Sequence, residues 1–374
     1  MFGTNRIIIA EGTMRVFRLW FCLSVLAAAN AMPADAATAP SEIVPLYVST
    51  NRPLAMLRID KSAPIPVVFD TGTTENILDA ALAKQVGLKV VGHFNLVDDV
   101  SKKSTVVPTA AVPDARLSEV PLDIKIVRLS DSAYGDEAGV FGPYSFGNRY
   151  VVVEAGFNRL RIIPKDSGFV PPGPGHAYKE DIPAAEIRIA GKSYDAVFDT
   201  GHNSALSLPA DFVKSVPLKA PATVVGKAVS ALAAQDIFGG ELAGSVDIGP
   251  YTLKDPSVAF FDTVINVGFP VIRKLTIVLD PANKLTWVLD PAKEKPTWSD
   301  FTGRFGQRTI RLKDGKLVYQ RDGRPPYEMT YLGGDLFEIH ATGDRVQFFR
   351  KDGRVVRFEL ITEENRISPA ERAS

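Results

Sequence analysis

Two aspartates occupy the same short stretch of sequence. Val67-Val68-Phe69-Asp70-Thr71-Gly72-Thr73-Thr74 and Ala196-Val197-Phe198-Asp199-Thr200-Gly201-His202-Asn203 each carry an apolar run into Asp-Thr-Gly. Two carboxylates held a hydrogen bond apart cannot both ionise cheaply, so such a pair keeps one proton between them over a broad pH range. One Asp then serves as base towards a water while its protonated partner donates to a substrate carbonyl. The neighbouring residues suit this chemistry. An apolar strand supplies a low-dielectric base, Thr71 and Thr200 offer hydroxyls able to bond across a local twofold axis, and Gly72 and Gly201 let backbone approach the carboxylates. Thr73 offers the first carboxylate a further hydroxyl, whereas the second copy has His202 there. An imidazole at that place either favours ionised Asp199 when protonated or points away from it.

The elements that must position these residues are also written twice. Leu54-Ala55-Met56-Leu57-Arg58-Ile59-Asp60 and Ala185-Glu186-Ile187-Arg188-Ile189-Ala190 have period-two character and lead into their own motif. A short helix is expected after each, over 79–86 and 209–216. Each half then closes on a Gly at the end of a short segment, Val140-Phe141-Gly142 and Asn266-Val267-Gly268, the second with Asn where the first has Val. Strands follow at Tyr150-Val151-Val152-Val153 and Leu275-Thr276-Ile277-Val278, then a turn with Asn and a further strand from Asn158 and from Asn283. The offsets between halves are 129 (Asp70 to Asp199), 126 (Gly142 to Gly268) and 125 (Leu160 to Leu285). A chance tripeptide would not bring its surroundings with it, so one ancestral half is written twice.

The remaining segments differ in character. A Pro- and Gly-dense stretch within 165–180 reads as a linker between a first half over 40–164 and a second over 181–291. Asp314-Gly315, Asp322-Gly323 and Asp352-Gly353 separate alternating runs, which predicts an antiparallel meander over 307–362 and a polar tail over 363–374. At the other end, Arg15 and Arg18 precede an apolar run from Leu19 to Ala29 that is too short to span a bilayer. Small-residue sites follow, so 1–36 reads as a signal peptide beginning at Met14, and the expected location is outside the cytoplasm.

Composition removes several other chemistries. The 374 residues hold 43 basic and 43 acidic side chains, so no global field favours nucleic acid. Cys22, the one cysteine, falls in the leader, which excludes disulfides and thiolate catalysis from the mature chain. The four histidines lack the spacing of a ligand pair, and neither a metal nor a cofactor is expected.

Paired Phe-Asp-Thr-Gly segments, each followed by a short segment closing on Gly, resemble the pepsin-like and retropepsin-like aspartic peptidases, particularly secreted bacterial members with two lobes in one chain. The resemblance covers roughly residues 45–290. It implies a mainly β fold of two duplicated retropepsin-like β-barrel lobes in a pepsin-like bilobal arrangement, here with a small C-terminal antiparallel β domain. It implies an exported endopeptidase, periplasmic or extracellular, with Asp70 and Asp199 catalytic and Thr71, Gly72, Thr73, Thr200 and Gly201 in support. Gly142 and Gly268 are expected beneath the site. The implied partner is a peptide or protein substrate, with no nucleic acid, no stable membrane anchor and no need to dimerise for catalysis. Such enzymes cover the substrate with a hairpin that often bears Tyr; residues 92–112 have none, leaving Phe94 or a segment within 226–244. The alternative on the same fold is a protein that holds a peptide in the cleft without cleaving it.

Overall fold

Alternating apolar residues broken by Gly, Pro, Asn and Asp produce strands joined by tight turns, and the chain is mainly β with several sheets. The structure, a computed structural model, describes residues 41–97, 104–130, 137–229, 234–291, 297–340, 342–351, 353–362 and 367–373. The leader read over 1–36, with Met14 and Cys22, lies outside the described residues. Among the described residues no helix is long and apolar enough to cross a membrane.

Two large sheets carry the two motifs. The first runs, in spatial order, through Val90–Val97, Ser104–Ala111, Ile126–Ser130, Ile77–Asp79, Gly139–Phe141, Ile65–Phe69, Arg52–Ile59, Ala115–Leu117 and Val120–Pro121, with Tyr47–Ser49 added beside Arg52–Ile59. The second runs through Thr223–Val229, Ala234–Glu241, Ser257–Asp262, Leu206–Pro209, Asn266–Gly268, Lys192–Asp199, Ala184–Ile189, Ser245–Ile248 and Tyr251–Lys254. Ranked by position in the chain, the strands of the two sheets follow the same spatial order throughout. The likeness reaches irregularities: the hairpin at the edge of each sheet shifts register between Val90 and Gly92 and between Val224 and Gly226. Each β-bulge falls on a Val-Val-Gly, a second repeated tripeptide that sequence reading passed over.

A six-stranded sheet joins the halves. Its central strands, Arg149–Glu154 and Thr276–Asp280, run antiparallel with Val152 opposite Val278. Those residues are equivalent, so a local twofold axis passes between them. Arg149 pairs with Pro164 and Thr276 with Leu289, which makes the offset 126 across both hairpins rather than the expected 125. The left-handed turn residues are accordingly Asn158 and Lys284, not Asn158 and Asn283.

Other expectations need adjustment. The first helix forms as Ala80–Gln85, capped by the Asp79 carboxylate accepting from the Leu82 N–H at 2.7 Å. The second is a 3-10 turn, Ala210–Lys214. Within the linker, His176–Ala177 adds an edge strand to the six-stranded sheet, and Gly175 packs under the Trp287 ring. The meander starts at Gly303–Phe305 and has eight strands. The expected polar tail contributes the last of them, Ile367–Glu371, and Phe305 bridges Arg372 so that the sheet returns to its own first strand. Phe301, Phe305, Phe337, Phe348 and Phe358 fill its interior.

Candidate active site

Each Asp lies at or just past the end of a strand whose inward-facing residues are buried, and the two strand ends lie side by side. Val67, Phe69, Ala196 and Phe198 are buried, and the Asp70 N–H donates to the Phe141 carbonyl at 3.0 Å. Ile65–Phe69 and Gly139–Phe141 pair in parallel, as do Lys192–Asp199 and Asn266–Gly268. The Val140-Phe141-Gly142 and Asn266-Val267-Gly268 segments therefore flank the motif strands, and glycine is required where they pass the turns. A Cβ on Gly142 would lie 2.8 Å from the Thr73 carbonyl oxygen, and one on Gly268 only 1.9 Å from that of Ser204.

The structure brings all seven motif residues together. Thr71 and Thr200 are buried and lock the turns reciprocally. The Thr71 N–H donates to Thr200 Oγ1 at 3.0 Å, and the Thr200 N–H donates to Thr71 Oγ1 at 3.0 Å. Thr200 Oγ1 donates to the Phe69 carbonyl at 2.7 Å, and Thr71 Oγ1 to the Phe198 carbonyl. Each hydroxyl thus accepts from the turn of the opposite half and donates to the strand leading into that same turn, which satisfies four backbone groups that burial would otherwise leave unpaired.

The glycines have an equally reciprocal task. A Cβ on Gly72 would stand 2.5 Å from Asp199 Cγ, and one on Gly201 would stand 2.5 Å from Asp70 Oδ2. Any side chain at either place would push the partner carboxylate away. With hydrogen there, the two carboxyl groups share a hydrogen bond. Backbone donors complete the shell, Gly72 N–H to Asp70 Oδ1 at 2.7 Å and His202 N–H to Asp199 Oδ1 at 3.0 Å.

This environment sets the protonation. Burial raises both carboxyl groups, and for Asp199 the charge of Asp70 and the shared hydrogen bond add to it. At Asp70 the bond from Asp199, the backbone N–H groups and the more distant Arg52 charge oppose burial. The pair holds one proton beyond the usual carboxylate range, because burial and the nearness of the two charges oppose ionising both. Both Asp residues keep part of their surface open, so water can reach them.

Two expected contacts are not made. The Thr73 hydroxyl donates to the Glu75 carbonyl at 3.0 Å and accepts from the Glu75 N–H at 3.1 Å, so its one proton is turned away from Asp70. Thr73 closes the turn instead. His202 meets Asp199 through its backbone, while its imidazole stacks on Phe261 with centroids 6.0 Å apart. Burial lowers the imidazole pKa against the pull of Asp262 and Asp70, so it sits neutral beside the pair at neutral pH. Since neither motif uses a fourth-position hydroxyl on its carboxylate, His202 leaves the symmetry of the pair intact.

Sequence reading missed the residues that brace the turns. Asn76 Oδ1 accepts from the Gly142 N–H at 3.2 Å and from the Ser145 hydroxyl at 2.7 Å, tying the first motif loop to its flanking segment. In the second half Asp262 accepts from Ser207 Oγ at 2.9 Å and from Asn266 Nδ2 at 2.5 Å. These braces differ between halves, so no repeat marks them. Phe94 lies in the edge strand pair Val90–Val97 with Ser104–Ala111, which matches Thr223–Val229 with Ala234–Glu241 in the other sheet, and it sits under the Arg128 guanidinium, 3.1 Å from the ring centroid. Among the described residues no cluster of His, Cys, Asp and Glu could hold a metal ion.

No family model matches the chain, and a search of characterised proteins finds no match.

Proposed function

We propose that the protein is an exported aspartic endopeptidase whose two motif-bearing sheets form the lobes of a pepsin-like, bilobal arrangement of retropepsin-like halves. Asp70 takes a proton from a water as that water attacks the peptide carbonyl, and Asp199 donates its proton to the carbonyl oxygen. The resulting gem-diol collapses as Asp70 returns its proton to the amide nitrogen and the C–N bond breaks to release the amine, while one gem-diol hydroxyl gives its proton back to Asp199 as the new carboxyl group forms. The observation that carries this reading is the reciprocal fit of Gly72 against Asp199 and Gly201 against Asp70. Such a fit serves the closeness of two carboxylates and has no use in a bare turn. A single chain holding both halves needs no partner copy to complete the pair, and export follows from the leader.

Cleavage of an unfolded polypeptide in ¹⁸O-water tests the reaction. New C-terminal carboxylates should gain one solvent oxygen, with no label entering Asp70 or Asp199, and Asp70→Asn and Asp199→Asn should each form product on the order of 10²–10⁴-fold more slowly. Label in either Asp would replace water attack by a covalent mechanism. A protein that binds such polypeptides without cutting them would favour a peptide-holding role for the cleft.

A further inference from the structure

The eight-stranded sheet at the C-terminus packs against the sheet that carries Asp70. One buried apolar cluster takes Tyr47, Leu54, Met56, Val68 and Val140 from that sheet, and Leu336 and Ile361, with Leu332 and Ile367 beside them, from the C-terminal sheet. Among the described residues this cluster includes none from the sheet carrying Asp199. The duplication shows what has changed. Leu54 lies opposite Val68 and Val68 opposite Val140; in the other sheet Ala184 lies opposite Val197 and Val197 opposite Asn266. Leu54, Met56, Val68 and Val140 therefore correspond to Ala184, Glu186, Val197 and Asn266. The strand Arg52–Ile59 is buried on both faces, whereas Ala184–Ile189 alternates buried with open positions. One outer face has been made apolar for a cover and the other left fit for water.

The rim of this contact is specific. Asn158 Nδ2 donates to the Leu332 carbonyl, and a Cβ on Gly333 would stand 2.6 Å from Phe157 Cα. Arg58 pairs with Glu359 at 3.6 Å and Arg357 with Glu119 at 3.7 Å.

We infer that Leu336 and Ile361 are positioning residues for Asp70. Val68 and Val140, which they help bury, are register partners immediately before Phe69 and Phe141, and the Phe141 carbonyl holds the Asp70 backbone N–H. Clamping that strand pair fixes one carboxyl against the other, where displacements of about 1 Å cost on the order of a hundredfold in rate. The C-terminal sheet is thus part of the first catalytic half.

The kinetic arm of the test rests on the peptidase reading; the structural arms do not. In the full chain, Leu336→Ala with Ile361→Ala should speed amide exchange about tenfold or more over 65–70 and 139–142, and leave 192–199 and 266–268 unchanged. Carbon-13 titration of Asp70 should move towards an ordinary carboxyl, kcat should fall about tenfold with KM within about twofold, and Ile361→Val should lie between. Unchanged exchange over 65–70, an unmoved Asp70 titration, or equal loosening of both sheets would overturn the inference. A wild type that cleaves nothing would overturn the peptidase reading alone, and exchange and titration would still decide this one.

Discussion

At the scale of single residues, the site combines groups that cost the fold something with groups that hold them in place. The Asp pair retains a proton that the unfolded chain gives up near the ordinary value of 3.8, so its contribution to stability is present below that value and is lost as pH rises through the raised folded value. Asp199→Asn keeps a neutral partner at every pH. Thermal melts should show it gaining on the wild type towards neutral pH, by roughly 2–4 °C for each kcal/mol relieved, and gaining nothing below the ordinary carboxyl range. Gly201→Ala tests closeness directly, because its methyl would sit 2.5 Å from Asp70 Oδ2. It should cost on the order of 10²–10⁴-fold in kcat, as much as losing an acid or base, with the overall circular dichroism preserved. His202 behaves oppositely to the Asp pair: its pKa is lowered by burial, so the folded state resists its protonation and loses stability as pH falls below 6.5. His202→Thr should withstand acid better than the wild type and keep its cleavage rate within about twofold, since the backbone N–H supplies the contact to Asp199.

At the scale of elements, the legible part of the sequence was what physics repeats. Period-two alternation, Asp-Gly turns and the doubled apolar-Asp-Thr-Gly segments announced the two sheets and the seven residues at their meeting point, because burial and close backbone approach restrict residue type. Braces were illegible where one half uses a side chain and the other does not. Asn76 reaches Gly142 N–H and Ser145, whereas the corresponding Gly268 N–H donates to the Ala205 carbonyl at 3.1 Å. Asn76→Ala would leave a buried N–H without its acceptor and should cost about 1–3 kcal/mol in denaturant unfolding. The expected tail was misread because Ser368 and Glu371 are polar and Pro369 does not favour a strand, yet Ile367–Glu371 is the last strand of the sheet, with Ala370 its one buried residue. Thr73 shows a further limit: a hydroxyl beside a carboxylate has a nearer backbone acceptor, and spacing alone does not choose between them.

At the scale of the whole molecule, duplication supplies two Asp-bearing strands and an asymmetric addition distinguishes them. The six-stranded sheet centred on Val152 and Val278 relates the halves, the crossed threonine bonds join their turns, and the C-terminal sheet backs the half with Asp70. The 43 positive and 43 negative side chains balance, so the molecule carries no net overall field. Everything converges on one shared proton between Asp70 and Asp199. The most direct test is kcat/KM of the full chain on an unfolded polypeptide from about pH 3 to about pH 7, beside Asp70→Asn and Asp199→Asn. The account predicts a bell with separated limbs in the wild type, set by a pair that shares one proton, and on the order of 10²–10⁴-fold loss in both variants. A wild type inert at every pH, or an Asn variant that keeps the wild-type bell, would contradict it.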